Sequence, residues 1–468
     1  MMEEKKKEFR LLSVDDALKM NRKEILENYK NYIHQGRAAL SALIGIDTNF
    51  VRAEGCKVWD EEGKEYLDFV GGYGSLNLGH NHPAVIEALH KVENAPVMLQ
   101  SALAKFAAVL AHNLAHITPG DLQNCWFCST GTEAIEGALK LARIYAGKKN
   151  FIYCAGGFHG KTMGSLSVTG KKKYQEPFEP LVPGCYPVPF GDSDALEKAL
   201  ATHDAAAFIV EPILGEAGVI LPPAGYFKEV RRLCSKYEAL FILDEIQTGF
   251  GRTGTLFACE YEGVVPDVMV MAKSLGGGVV PIGAYITTAE IMKKAYGSSI
   301  DRTTMLTSTF GGNSHCAAAA IAAVETIVRE DLAGQAAAKG AYFLNKLKSL
   351  QDKYAIVKEV RGRGLLIGME VAQEGGLLDF LSAGSMKKLS SEFLSSMIGG
   401  EMQNNYGILT LFTLNNPNVL RLAPPLTVSY EQLDYCVDAF DRFFAKHKSF
   451  LKIALQSGKG AIASLFRK

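Results

Sequence analysis

The sequence predicts an α/β protein: a large unit with a mostly parallel sheet covered by helices, followed by a smaller α+β unit. Three observations predict it. From about residue 125 to 290, apolar runs of strand length alternate with amphipathic helical stretches. Those runs are apolar nearly throughout rather than at every second position, as strands buried on both faces are. Near residue 330 the pattern changes to long helices and short strands joined by glycine turns.

The strand runs include "NCWFCS", "NFIYCAG", "AAFIVEP", "ALFILDE" and "DVMVMAK". Between several of them, "TEAIEGALKLARIYA" and "GYFKEVRRLCSKYEA" place apolar residues three and four apart, the spacing of one helix face. Beyond residue 330, "LAGQAAAKGAYFLNKLKSLQDKY" reads as a helix, and "VKEVRGRGLLIGMEVA" as strand, turn and strand. "NVLRLAPPLT" is a further strand and "SYEQLDYCVDAFDRFFAKHKSF" a closing amphipathic helix. The expected division is 1–64 as an N-terminal segment packing with the small unit, 65–330 as the large unit and 331–468 as the small unit with a basic tail. Residues 371–405 read as an elaborated surface loop in preference to a lid. The tail "FLKIALQSGKGAIASLFRK" reads as solvated or partner-packed in preference to membrane-bound.

Fifty basic residues balance fifty acidic ones, so no net field favours nucleic acid or an anionic membrane. No run of about 18 apolar residues is present to span a bilayer. The mixed-charge start "MMEEKKKEFR" argues against a secretory or transit signal, and nine scattered cysteines suit reduced thiols in a cytoplasm. "CWFC" (Cys125 to Cys128) lacks a second pair at zinc spacing and sits in an apolar run, so it reads as core. "HNHP" around His80 and His82 reads as a loop, and no metal site is expected.

Chemistry gathers at strand ends. "AAFIV" runs to Glu211, "LFIL" to Asp244 and "DVMVMA" to Lys273. Ligands of open parallel sheets bind beyond the carboxyl ends of strands, so these three residues converge on one crevice. A lysine in an apolar pocket loses its proton more easily and becomes a nucleophile for an aldehyde. A buried carboxylate keeps a partner cation protonated. Pyridoxal 5'-phosphate, an aldehyde on a pyridine ring, requires both groups. "CSTGTEAIEGALKLA" puts Ser129, Thr130, Gly131 and Thr132 at a helix start, an anion site for the phosphate or an ordinary cap. "TSTFGGNS", with Thr309, is a second anion candidate. Phe158 in "GGFHGKT" offers a flat face to a flat ring.

With "VEPILGEAGV", "LFILDEIQTGFGRTG", "PIGA" and "RGRGLLIGMEV", these segments resemble the class III pyridoxal-phosphate aminotransferases of fold type I, in the same order over roughly residues 45 to 445. The resemblance implies a fold type I large domain and smaller α+β domain, and roles by position. Lys273 would hold the cofactor aldehyde as a Schiff base and carry the reaction's proton. Asp244 would bind the pyridine nitrogen and Gln247 the phenolic oxygen, with Glu211 a further cofactor-binding residue. Phe158 would stack on the ring. Gly131 and Thr132 would bind phosphate, joined by Thr309 from a neighbouring subunit, which implies a homodimer that can pair into a tetramer. Arg421 would bind a substrate α-carboxylate and Glu216 would pair with Arg421 when none is present. Ser129-Thr130 replaces the usual asparagine-serine, Ser314 replaces a usual proline, and the 371–405 segment is long.

Within the family, "ILPPAGYFKEVRRLC", "FACEYEGVVPD", "GGGVVPIGA" and "TLNNPNVLRLAPPLT" are similar to putrescine (polyamine) aminotransferases. The expected donor is therefore putrescine or cadaverine, converted to an aldehyde, with 2-oxoglutarate or pyruvate as acceptor. Ornithine, acetylornithine, 4-aminobutyrate and longer-chain amines are the alternatives. A racemase or aminomutase could use the same lysine and aspartate, and a non-catalytic binding protein would need neither.

Overall fold

The computed structural model describes residues 11–44, 46–98, 101–371 and 385–447. Seven strands form its main sheet: β4 (Leu122–Cys128), β5 (Asn150–Cys154), β6 (Cys185–Val188), β7 (Ala205–Val210), β8 (Leu240–Asp244), β9 (Val268–Met271) and β10 (Gly283–Thr288). They lie in the order β4-β10-β9-β8-β7-β5-β6. Only β10 runs against its neighbours, and the pairs from β9 to β6 are parallel.

The unbroken apolar character of the central strands follows from coverage on both faces. Along β7, β8 and β9, Phe208, Val210, Phe241, Leu243, Met269 and Met271 pack into one layer. The alternate residues Ala207, Ile209, Leu240, Ile242, Val268 and Val270 pack into the other. Each layer is the period-two face of a strand against helices. The helix Gly131–Ala146 covers the second face with Ala134, Ile135, Ala138, Leu141 and Ala142. Thr130 caps its start and Gly147 ends it at φ 70°, the left-handed conformation that glycine tolerates.

The C-terminal unit has an antiparallel sheet ordered β11-β12-β15-β14, from β11 (Val357–Arg363), β12 (Leu366–Val371), β14 (Leu411–Phe412) and β15 (Val419–Leu422). The helices Leu332–Lys353 and Tyr430–Lys446 pack on each other beside it. A second small sheet joins the two ends of the chain: β1 (Phe50–Glu54), β2 (Lys57–Asp60) and β3 (Glu65–Asp68) extend to β13 (Ile408–Leu409), which pairs in parallel with β3. Residue 64, the expected boundary, therefore falls between two neighbouring strands of one sheet.

The 371–405 segment differs from expectation. Residues 385–406 form a helix, Ser385–Tyr406, not a surface loop. Its buried residues Leu394, Ile398 and Met402 stand four apart on one face. Two serines and two glycines between them hide that spacing, and tertiary burial overrides their weak helix propensity. Residues 372–384 and the basic tail from 448 onward lie outside the described residues. Among the described residues no helix is long and apolar enough to cross a membrane. Cys125 and Cys128 lie in β4, where burial pushes both thiols up to about 12. No group of three or more metal-ligating side chains occurs among the described residues.

Candidate active site

The parallel register carries β7, β8 and β9 to a common end. Val210 pairs with Leu243, and Asp244 with Val270. Glu211, Asp244 and Lys273 therefore leave neighbouring strands at the same edge, where they line one cavity of about 530 Å³. Gly131, Thr132, Phe158, Glu216 and Gln247 line it too.

Lys273 follows β9 in a short 3₁₀ turn, Lys273–Gly276, with φ at +46°. A side chain rarely takes that backbone conformation, and the strain is of the kind found at functional positions. Enclosure by protein pushes the amine down to about 8. Arg421 pushes the same way, and Glu216, Asp244 and Glu211 oppose it. About a tenth of the amine is thus uncharged at pH 7, far more than for an exposed lysine.

Asp244 is 3% exposed. Its Oδ2 lies 2.7 Å from His159 Nδ1, and its Oδ1 accepts from the Ile246 N–H at 3.0 Å. His159 is fully enclosed, and its Nε2 has no hydrogen-bond partner among the described residues. The histidine braces the carboxylate from behind. Sequence reasoning missed it, because a histidine beside Phe158 reads equally well as core.

Gln247 donates from Nε2 to the Tyr73 carbonyl at 3.0 Å, while its buried Oε1 has no partner among the described residues. A Cβ on Gly215 would collide with Gln247 Oε1, so any side chain there would have to move the amide. Glu211 accepts from the Phe158 N–H at 2.8 Å and the Gly215 N–H at 3.3 Å. Burial first, and then Asp244, push its carboxyl up to about 7, against the pull of His159.

At the start of the helix Gly131–Ala146, Glu133 accepts from the Ser129 N–H at 2.9 Å and from the Thr130 hydroxyl at 3.2 Å. Those groups serve as cap. The N–H groups of Gly131 and Thr132, in the first turn of a 16-residue helix, have no acceptor within it and face an anion favourably. The Thr132 hydroxyl is 2.6 Å from Ser165 Oγ and 2.9 Å from Thr162 Oγ1.

Arg421 on β15 is 2% exposed and does not line the cavity. Its Nη1 donates to Glu216 Oε1 at 2.5 Å, so the cavity-lining acid shields it. Glu216 also accepts from the Leu414 N–H at 2.9 Å. Burial alone would raise the Glu216 carboxyl, but Arg421 holds it below its ordinary value. The guanidinium lies 5.0 Å from the Tyr73 ring centroid. Thr309 is exposed and stands away from the cavity of its own chain.

The residues present fit pyridoxal phosphate. A lysine that loses its proton easily, a braced carboxylate, an orphaned amide oxygen, an aromatic face and a helix start surround one cavity. Residues 43–444 match the family model of the class-III aminotransferases. Solved structures agree. An ornithine aminotransferase from Toxoplasma gondii ME49 is 31% identical with a TM-score of 0.81, over 93% of this chain and 99% of that one. A pyridoxal-phosphate-bound amine transaminase from an uncultivated Pseudomonas species is 29% identical with a TM-score of 0.76, over 85% and 94%. An acetylornithine aminotransferase from Elizabethkingia anophelis is 28% identical with a TM-score of 0.76, over 92% and 100%.

Proposed function

The chain belongs to the class-III aminotransferases, pyridoxal-phosphate enzymes that move an amino group from a donor to a keto acid, and within that family we propose that its donor is a terminal amine. A short diamine, putrescine or cadaverine, is the first choice, with 2-oxoglutarate or pyruvate as acceptor. The observation that carries this is the Glu216–Arg421 pair at 2.5 Å. With the pair closed, the cavity wall presents no free guanidinium, and a donor without a carboxylate meets only the acid. An acceptor carboxylate draws Arg421 away from Glu216 and replaces one ion pair by another. That exchange avoids an unpaired buried charge, which would cost several kcal/mol.

The bound cofactor supplies an aldehyde that condenses with amines and a ring that withdraws electrons from the substrate carbon. The chain's own groups do the rest. Lys273 would hold the cofactor aldehyde, and its free Nζ would carry the proton taken from the substrate carbon. Asp244, braced by His159, holds the proton on the ring nitrogen. Gln247 binds the phenolic oxygen, and Phe158, tethered by Glu211, covers one ring face. Gly131 and Thr132 bind the phosphate.

Thr309 serves the phosphate of a second copy. Ile300, Met305 and Phe310 around it are 86%, 55% and 56% exposed, an apolar surface suited to such a partner.

Ornithine is the second reading, favoured by the ornithine aminotransferases among the similar structures. It too reacts at a terminal amine, but its carboxylate has to find a cation other than the engaged Arg421. The test is the visible absorbance of the holoprotein mixed with one donor at a time and no keto acid. Putrescine or cadaverine is expected to convert the bound cofactor faster than ornithine, acetylornithine, 4-aminobutyrate or longer amines. Fast conversion by ornithine with none by either diamine would replace the first reading with the second.

A further inference from the structure

Arg252 lies in the glycine-rich loop after Gln247 and takes no part in the chemistry above. Its guanidinium is fully buried, at 0% exposure. Nη1 donates to the carbonyls of Leu365, at 3.0 Å, and Pro424, at 2.5 Å. Nη2 donates to Asn77 Oδ1 at 2.6 Å. Asn77 in turn donates from Nδ2 to the Phe250 carbonyl at 2.8 Å, and its own carbonyl accepts from the Leu426 N–H at 2.8 Å. The Leu365 N–H returns a bond to the Arg252 carbonyl at 3.0 Å. One side chain thus ties three segments distant in sequence.

No carboxylate pairs with Arg252 among the described residues; neutral oxygens hold it. Burial pushes the group down to about 9, which leaves it charged at neutral pH. A buried cation with no carboxylate in contact, the buried Asp68 acting on it only at a distance, is a costly device for joining loops, since apolar packing would do so without the desolvation. Its placement suggests what it maintains. Gln247 precedes it by five residues on the same loop. Pro424 follows Arg421 by three residues as the chain leaves β15. Tyr73, four residues before Asn77, accepts from Gln247 and lies against Arg421. Both ends of the cavity's recognition apparatus therefore meet at this guanidinium. A lysine could not span these acceptors, because only the planar fork donates in several fixed directions.

We infer that Arg252 is a positioning residue for acceptor recognition: by fastening the Arg421 segment to the Gln247 loop, it sets where Arg421 can meet the keto acid's carboxylate. This rests on the reading that Arg421 binds that carboxylate. The experiment compares holoenzyme variants Arg252→Lys, Asn77→Ala and Arg421→Met, measuring KM and kcat for 2-oxoglutarate and the rate of the amine half-reaction without acceptor. Arg252→Lys should raise the acceptor KM about tenfold, within the roughly 100-fold that a 1 Å misplacement can cost, and leave the amine half-reaction within about twofold. Asn77→Ala should move the same way by less, and it decides the matter if Arg252→Lys does not fold. An unchanged acceptor KM in folded Arg252→Lys, with Arg421→Met raising it, would overturn the inference alone. Equal loss in both half-reactions would make Arg252 a merely structural tie and also overturn it. An acceptor KM unmoved by Arg421→Met would remove the reading of Arg421, and the inference with it.

Discussion

Replacing Glu216 by glutamine keeps the shape of the pocket and removes one charge of a buried pair. At 2.5 Å and an effective dielectric of about 20, the Glu216–Arg421 attraction is roughly 6–7 kcal/mol. Desolvation of the two ions offsets several kcal/mol of that, and breaking such a pair from one side costs about 3–5 kcal/mol, because the remaining charge stays buried. Part of this energy opposes any substrate carboxylate competing for Arg421, and each 1.4 kcal/mol of it released would be about tenfold in affinity. The variant should therefore bind keto acids more tightly and react more slowly with a diamine, whose distal ammonium meets an unshielded guanidinium. Stopped-flow absorbance on the separate half-reactions should show the ratio of kcat/KM, keto acid over diamine, rising about tenfold or more. A dicarboxylate ligand should also raise Tm more for the variant than for the parent, by refilling the vacated anion position. If both half-reactions change by the same factor, or if the ligand raises the two Tm values equally, Arg421 is not released by the substitution and the reasoning fails.

Other outcomes follow from the same geometry. Cofactor uptake by the apoprotein needs the uncharged Lys273 amine, so its rate should rise with pH and level off above about 8; stopped-flow absorbance that is flat between about pH 6 and 9 would contradict this. Asp244→Asn removes the acid that His159 braces, and single-turnover measurements should find the amine half-reaction slower by about 100-fold or more, the scale for losing one preorganised electrostatic partner. Gly215→Ala drives a methyl into Gln247 Oε1, and overpacking of about 1–3 kcal/mol should appear as weaker cofactor retention on dilution with the far-UV spectrum unchanged. Lys273→Ala and Thr309→Asp subunits, each inactive alone, should recover about a quarter of the sites when randomly paired, if each site is completed by the partner copy; no recovery would place Thr309 in its own subunit's site, and a Thr309→Asp protein active alone would place it outside the site.

The central strands were legible because burial on both faces leaves β7, β8 and β9 almost wholly apolar, a pattern that local sequence displays. Their reactive ends were legible for the same reason: Glu211, Asp244 and Lys273 interrupt apolar runs. Two strands carry weaker signals. β6 is an edge strand with Pro187 in it, and β10 reverses direction, which no local pattern announces. The helix Ser385–Tyr406 was hidden by serine and glycine between its buried positions. Contacts across long separations were beyond local reading. Glu216 and Arg421, 205 residues apart, were paired through family resemblance, and nothing in the residues around His159 or Arg252 announces their partners. Their roles come from tertiary packing, which brings a histidine behind Asp244 and a guanidinium among three carbonyl-bearing segments.

The central claim is that Lys273 holds the cofactor in this cavity. Its most direct test is borohydride reduction of the holoprotein, followed by digestion and peptide mass mapping. The account predicts a single pyridoxyl group, fixed on Lys273 and lost in Lys273→Ala. A pyridoxyl group on any other lysine, or a wild-type protein that carries none after incubation with pyridoxal phosphate, would contradict it.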